Sequence, residues 1–237
     1  MSEASATSQT AIRDITGKAG RPSALIFDWD NTLVDSWGII HRALVDTFKA
    51  FGKAPWTLEE SKANVRKSAR DSFPILFGDE WEAAKDHYIA AFEAVHLDEL
   101  TLLDGAQNLV EAAAAAMPLA IVSNKTGRLL RAEIEHLGWG SHFVAALGAG
   151  DAEADKPDPT PVRIVRKKLS EAQNTNVWFL GDADVDMACA QNSNCAGVLI
   201  HGTSLGQFFN RAVPPGTDLA VLDLPTLQAH LRDGDAM

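Results

Sequence analysis

The sequence predicts an α/β protein, a doubly wound parallel sheet with a small all-α segment inserted after its first strand. Three observations carry this. Short apolar runs recur along the chain and stop at polar or acidic residues, helical stretches separate them, and between Ser36 and Asp104 the pattern is helical throughout. Continuous apolar runs suit strands covered on both faces. Alternation of strand and helix implies right-handed crossovers and layers of helices on the sheet.

Taken in order, residues 1 to about 20 are rich in Ser, Ala and Thr. They bury too little to offset their ordering entropy and read as a mobile tail. Residues 23–27 (SALIF) form a first strand ending at Asp28. Residues 37–104 then read as a helical cap. Trp37, Ile40, Leu44, Phe48 and Phe51 recur at helical spacing. Thr57 and Glu60 have the spacing of a capping box, and Trp81, Ala84, Tyr88 and Phe92 mark a further apolar face. These aromatic stripes read as the cap's own core.

The remaining core is expected in two pieces, residues 21–36 and 105–237. Helices are predicted over 106–116, 127–137 and 161–169. Strands are predicted over 118–123 (PLAIVS), more weakly over 144–147, over 176–180 (NVWFL) and over 196–200 (AGVLI). In open α/β sheets ligands bind beyond the carboxyl ends of the strands. Asp28, Ser123 and Asp182 all stand at such ends and can therefore meet in space.

Composition narrows the partners. The 237 residues carry a formal net charge of −11. An acidic surface repels nucleic-acid phosphates and anionic lipid, so neither nucleic acid nor membrane is expected, and a small phosphorylated metabolite would need a local positive site. Cys189 and Cys195 are six positions apart and fit neither a CxxC redox pair nor a zinc knuckle. They read as packing residues in a reducing compartment. With no apolar run of ~18 residues and no signal-peptide pattern, a cytoplasmic protein is expected, as monomer or homodimer.

Four segments carry chemistry: Asp28-Trp29-Asp30-Asn31-Thr32, Ser123-Asn124-Lys125, Lys156-Pro157-Asp158-Pro159 and Gly181-Asp182-Ala183-Asp184-Val185-Asp186. Paired carboxylates beyond a buried strand repel each other unless a cation or proton compensates. An all-oxygen set favours Mg²⁺, which also takes phosphate oxygens. Lys156 adds positive charge, and Ser123 with nearby backbone N–H groups can donate to a phosphate. Asp28 can then act as nucleophile and Asp30 as general acid and base. Read singly, Ser123-Asn124 is more often a turn and N-cap than a phosphate cradle, and Lys156 a solvated lysine. Lys125 directly follows a strand end, and Arg70 lies in the cap. Both are candidates for reaching an anionic substrate, with an ordinary surface arginine the alternative for Arg70. His201 reads as structural.

These four segments, in this order, resemble the motifs of the haloacid dehalogenase superfamily over about residues 25–231. Asp28, Asp30 and Thr32 occupy its DxDx[TV] motif, and the second aspartate marks phosphatases and mutases rather than dehalogenases. The resemblance implies a Rossmann-like core and a helical cap. It implies Asp28 as nucleophile and metal ligand, Asp30 as acid/base ligating through its carbonyl, Lys156 as stabiliser of nucleophile and phosphate, Asp182 as Mg²⁺ ligand, and Asp186 as supporting the metal through water or positioning Lys156. Thr32, Ser123, Asn124, Lys125 and Arg70 become the substrate-binding candidates. The segments at 27–36 and 123–125 are similar to the phosphoglycolate phosphatase branch. The activity so implied is hydrolysis of small phosphomonoesters through an aspartyl-phosphate, with 2-phosphoglycolate a candidate substrate. A β-phosphoglucomutase-like mutase and a non-catalytic Mg²⁺/phosphate binder are the alternatives. Ala183 departs from the usual Ser or Thr. Asn194 departs from a helix-ending glycine, which Asn can replace.

Overall fold

In the computed structural model, residues 11–65, 67–169, 176–202, 208 and 212–233 are described. Seven strands make one sheet: β1 (Ile12–Asp14), β2 (Ala24–Phe27), β3 (Leu119–Thr126), β4 (Phe143–Ala149), β5 (Val177–Gly181), β6 (Ala196–Ile200) and β7 (Leu219–Val221). Their spatial order is β1-β7-β6-β5-β2-β3-β4. The chain thus runs outward from β2 to β4, then returns to β5 on the other side of β2. This places a topological switch beside β2. All neighbouring pairs are parallel except β1 with β7.

The apolar strand runs are explained by two cores. Along β2, Leu25 and Phe27 face one cluster, with Ile121, Trp178 and Leu180. Ala24 and Ile26 face the other, with Ala120, Val122, Val177 and Phe179. Helices α5 (Ala106–Ala116) and α9 (Leu224–Asp233) cover the first face through Leu109, Val110, Leu224 and Leu227. Helix α7 (Thr160–Lys168) covers the second through Val162 and Val165. Cys189 and Cys195 are free and buried. Burial pushes the Cys189 thiol up to about 12 and the Cys195 thiol up to about 11, as for packing residues.

Between β2 and α5 stand, among the described residues, four α-helices: α1 (Trp37–Ala50), α2 (Leu58–Asn64), α3 (Ala69–Phe77) and α4 (Trp81–Glu93). The Thr57–Glu60 capping box opens α2, with both reciprocal hydrogen bonds present. Ile40, Leu44, Phe48, Phe73, Phe77 and Phe92 form a separate apolar cluster. Leu129 of α6 (Gly127–His136) joins it and fastens the helices to the sheet layer. The strands of chain leading in and out run side by side: Asp35 N–H donates to Thr101 O (2.8 Å) and Leu103 N–H to Leu33 O (3.0 Å).

The stretch expected as a tail is structured where it is described. Ile12 pairs with Val221 and Asp14 with Leu219, and Ala11 and Ala19 are buried. The Ala19 carbonyl accepts hydrogen bonds from Trp178 Nε1 (2.9 Å) and Asn176 Nδ2 (2.6 Å). The physical reason is the β7 edge, whose open N–H and C=O groups require a cover. Residues 1–10 of the predicted tail lie outside the described residues. Among the described residues no helix is long and apolar enough to cross a membrane.

Candidate active site

The carboxyl ends of β2, β3 and β5 bring the predicted motifs to one rim. Asp28 follows β2 directly, and its N–H donates to Leu180 O of β5 (2.8 Å). Asp182 follows β5 at the entrance to α8 (Asp184–Asn192). Asp186, in the first turn of α8, is fully buried and accepts the Ala183 N–H through Oδ2 (3.1 Å). Gly181 permits this approach, since a Cβ there would stand 2.4 Å from the Asp186 carboxylate. Carboxylate oxygens of Asp28, Asp182 and Asp186 lie within 4.8 Å of one another. Such a set fits a hard divalent cation.

Lys156 rises into this cluster while only 1% exposed. Its Nζ donates to Asp186 Oδ1 at 2.7 Å and contacts Asp28 Oδ1 at 2.8 Å. Asn124 fixes the Lys156 main chain with two hydrogen bonds: Asn124 Nδ2 donates to Lys156 O (3.1 Å), and Lys156 N–H donates to Asn124 Oδ1 (3.0 Å). Asn124 therefore positions Lys156, a contact that its expected substrate-binding role did not include.

Burial is the largest influence on Asp28 and pushes its carboxyl up to about 6, against the pull of Lys156. Asp182 is raised well above the carboxylate range, first by burial and then by Asp186 and Asp28. For Lys156, burial acts downward, yet the charges of Asp186 and Asp28 outweigh it and hold the ammonium above its ordinary value. Three carboxylates against one ammonium leave uncompensated negative charge, which a divalent cation would offset.

Asp30 stands apart from the triad. Its Oδ1 accepts hydrogen bonds from Ser36 Oγ and, at 2.8 Å, from Lys125 Nζ. Asn31 turns the chain there with φ 63°, a left-handed conformation that Asn tolerates. Its side chain accepts the Ser36 N–H (3.2 Å). Ser123 ends the continuous buried run of β3 and, with Asp28, Asp30, Lys125, Lys156 and Asp182, lines one cleft between the sheet rim and the helices above it.

Two expected substrate-binding residues lie elsewhere. Thr32 is fully buried and does not line the cleft. The main chain turns inward after Asp30, with Trp29 O accepting the N–H groups of Thr32, Leu33 and Val34, and carries this side chain into the interior. Arg70 pairs with Asp155 Oδ1 at 2.9 Å, and the two line a separate depression. The Asp155 side chain is 2% exposed, and a buried carboxylate draws the guanidinium to it. Lys125 is held by Asp30 and by Glu133 Oε1 (3.0 Å), with its ammonium 4.2 Å from the Phe92 ring centroid.

Glu133 and His96 escaped the sequence reading, and Tyr88, read there as core of the helical segment, lines the cleft. Glu133 is wholly buried, accepts Trp29 Nε1–H (2.6 Å) and pairs with His96 Nδ1 (2.7 Å). A signal existed: Glu133 falls within the apolar stripe of α6, beside Leu129, Leu130 and Ile134, where an acid requires a buried partner.

Comparison with known proteins agrees with the geometry. Residues 25–200 match the family model of haloacid dehalogenase-like hydrolases. The chain is 30% identical to a phosphoglycolate phosphatase of Rhodobacter capsulatus, over 74% of this chain and 83% of that protein. It is 27% identical to one of Psychrobacter arcticus, over 80% and 88%. Among solved structures, a haloacid dehalogenase-like family protein from Streptococcus pneumoniae superposes with a TM-score of 0.72 at 21% identity, covering 88% and 98% of the two chains. CbbY from Rhodobacter sphaeroides, solved with phosphate, gives 0.72 at 18% identity, covering 86% and 95%. At these identities the two structures speak for the fold, whereas the family match spans the strand ends that carry the acidic cluster. The chain belongs to the haloacid dehalogenase-like hydrolases.

Proposed function

We propose that the chain is a Mg²⁺-dependent phosphatase that hydrolyses phosphomonoesters through an aspartyl-phosphate on Asp28. The observation that carries this is the Lys156 ammonium, set within 2.8 Å of Asp28 and 2.7 Å of Asp186 at the sheet rim. A plain anion-binding site has no use for a buried carboxylate at its centre, whereas a carboxylate nucleophile needs neutralising charge beside it. The relatives named phosphoglycolate phosphatase point the same way.

The Asp28, Asp182 and Asp186 carboxylates, with the Asp30 carbonyl, would hold Mg²⁺. Bound there, the ion supplies charge neutralisation and orientation for the phosphoryl oxygens. Lys156 and Ser123 hold the remaining oxygens and align the ester. Asp28 attacks phosphorus as the bond to the ester oxygen breaks, and Asp30 donates its proton to that oxygen, releasing the alcohol. Asp30, now ionised, takes a proton from water. The water oxygen attacks phosphorus, the Asp28–phosphorus bond breaks, and inorganic phosphate leaves with both aspartates restored.

The test is Asp28→Asn, whose amide cannot attack. Phosphate release from a panel of metabolite monoesters, 2-phosphoglycolate included, is expected to vanish while the thermal transition persists. Undiminished hydrolysis by the variant would remove Asp28 from this role.

A further inference from the structure

The floor of the cleft is charged, but its walls are largely apolar. Trp37 and Ile40 of α1, Trp56 before α2, Phe73 and Leu76 of α3 and Tyr88 of α4 line it together with Asp28, Asp30 and Ser123. The walls are aromatic packing continued inward: Phe73 and Tyr88 stand 5.5 Å apart between ring centroids, and Trp56 packs tilted against Phe48 at 4.8 Å. Trp37, Trp56, Leu76 and Tyr88 remain only half-buried, so apolar surface is left open beside the reacting carboxylates.

The buried cations, by contrast, are committed. Lys156 faces Asp28 and Asp186, and Lys125 faces Asp30 and Glu133. Arg70 pairs with Asp155 outside the cleft. Among the described residues this leaves Lys67 as the lining cation with no carboxylate partner, and it is exposed to solvent at the rim. The Tyr88 hydroxyl, the one phenol of the chain, is held well above its ordinary pKa by burial and by Asp30 and Glu133. It therefore keeps its proton and can donate, but it carries no positive charge.

Resting on the phosphatase reading, we propose that the cleft takes phosphomonoesters of apolar alcohols, alkyl or arylalkyl, with the phosphoryl group on the carboxylate floor and the alcohol against these walls. A leaving group with its own carboxylate would shed water against these walls and, among the described residues, would find as uncommitted cation Lys67 at the exposed rim, where solvent screens the pairing. An apolar one removes wall and ligand surface from water together. Specificity then resides in the helices and chemistry in the sheet rim.

The test compares kcat/KM for ethyl, butyl, hexyl and 2-phenylethyl phosphate, and for 2-phosphoglycolate, in Mg²⁺ buffer. Each added methylene that is buried is expected to raise kcat/KM about fourfold, and 2-phenylethyl phosphate to exceed 2-phosphoglycolate by about tenfold or more. A flat alkyl series, or preference for 2-phosphoglycolate, would overturn the inference and leave the phosphatase reading intact. Leu76→Asn, at the half-buried wall, is expected to flatten the alkyl series; an unchanged slope counts against the wall. Should no ester release phosphate, the phosphatase reading fails, and calorimetry with non-hydrolysable phosphonates decides the cleft. Tighter binding of 2-phenylethylphosphonate than of phosphonoacetate supports it, and the reverse order, or no binding of either, refutes it.

Discussion

The Lys125 ammonium lies 2.8 Å from the Asp30 carboxylate, and its side chain is 4% exposed. Behind it, Glu133 receives Lys125, His96 and the Trp29 indole N–H. A lysine tethered in this way is a poor anion receptor for substrate. It is well suited to hold Asp30 in one orientation toward the ester oxygen, because one face of its charge is anchored by a buried acid.

Lys125→Met keeps the stem and removes that charge. If Lys125 orients Asp30, kcat falls by about a hundredfold, in the range of a lost acid/base contribution, while KM stays within about twofold. Steady-state kinetics at saturating Mg²⁺ read both. A rise in KM with kcat preserved would return Lys125 to substrate binding.

Glu133→Gln tests the anchor. The amide leaves the Lys125 ammonium without its buried counter-charge, and breaking a buried pair costs about 3 kcal/mol. Urea unfolding should show a lower midpoint with an unchanged slope. A loss below about 0.5 kcal/mol, typical of surface sites, would mean that Asp30 alone compensates Lys125.

The acidic triad predicts a pH-dependent response to the metal. Asp28 in the metal-free fold is pushed up to about 6 from an ordinary 3.8. Its contribution to metal-free stability is therefore present below the ordinary value and is lost as pH rises through about 6. Mg²⁺ needs the ionised carboxylates, so protons compete with it. The rise in melting temperature on adding MgCl₂ should be large near about pH 7.5 and shrink near about pH 5. Equal shifts at both would separate the triad from metal binding.

How much of this was legible in the sequence differs between residues. Asp28, Ser123, Lys156 and Asp182 could be placed together because each stands at or near a strand end, and parallel topology gathers such ends on one rim. Thr32 and Arg70 show what spacing leaves open. It gives a residue's position on the chain but not its direction, and Thr32 turns into the core while Arg70 finds Asp155. Glu133 reaches Trp29 across 104 positions and His96 across 37, contacts that no local pattern encodes. The strands β1 and β7 have three residues each, too few for a period of two to register.

The β1 strand offers the sharpest contrast between composition and structure. Its Ser-, Ala- and Thr-rich surroundings read as a tail, yet Ile12 lies half-buried beside Val221, and Ala11 O accepts the Leu222 N–H (3.0 Å). Three positions on, Ile15 is 38% exposed although its N–H donates to Asp218 O (2.9 Å). The two isoleucines share a hydrogen-bonded edge and differ in burial, so they make an internal control. Ile12→Asp puts a charge against the sheet and should cost about 1–2 kcal/mol, a drop of roughly 3–6 °C in melting temperature for a chain of this size. Ile15→Asp should stay within about 0.5 kcal/mol. A mobile tail would make both substitutions silent. An effect on Ile12 alone means that the edge of β7 is closed by the chain's own N-terminal segment rather than left open for another chain to pair with.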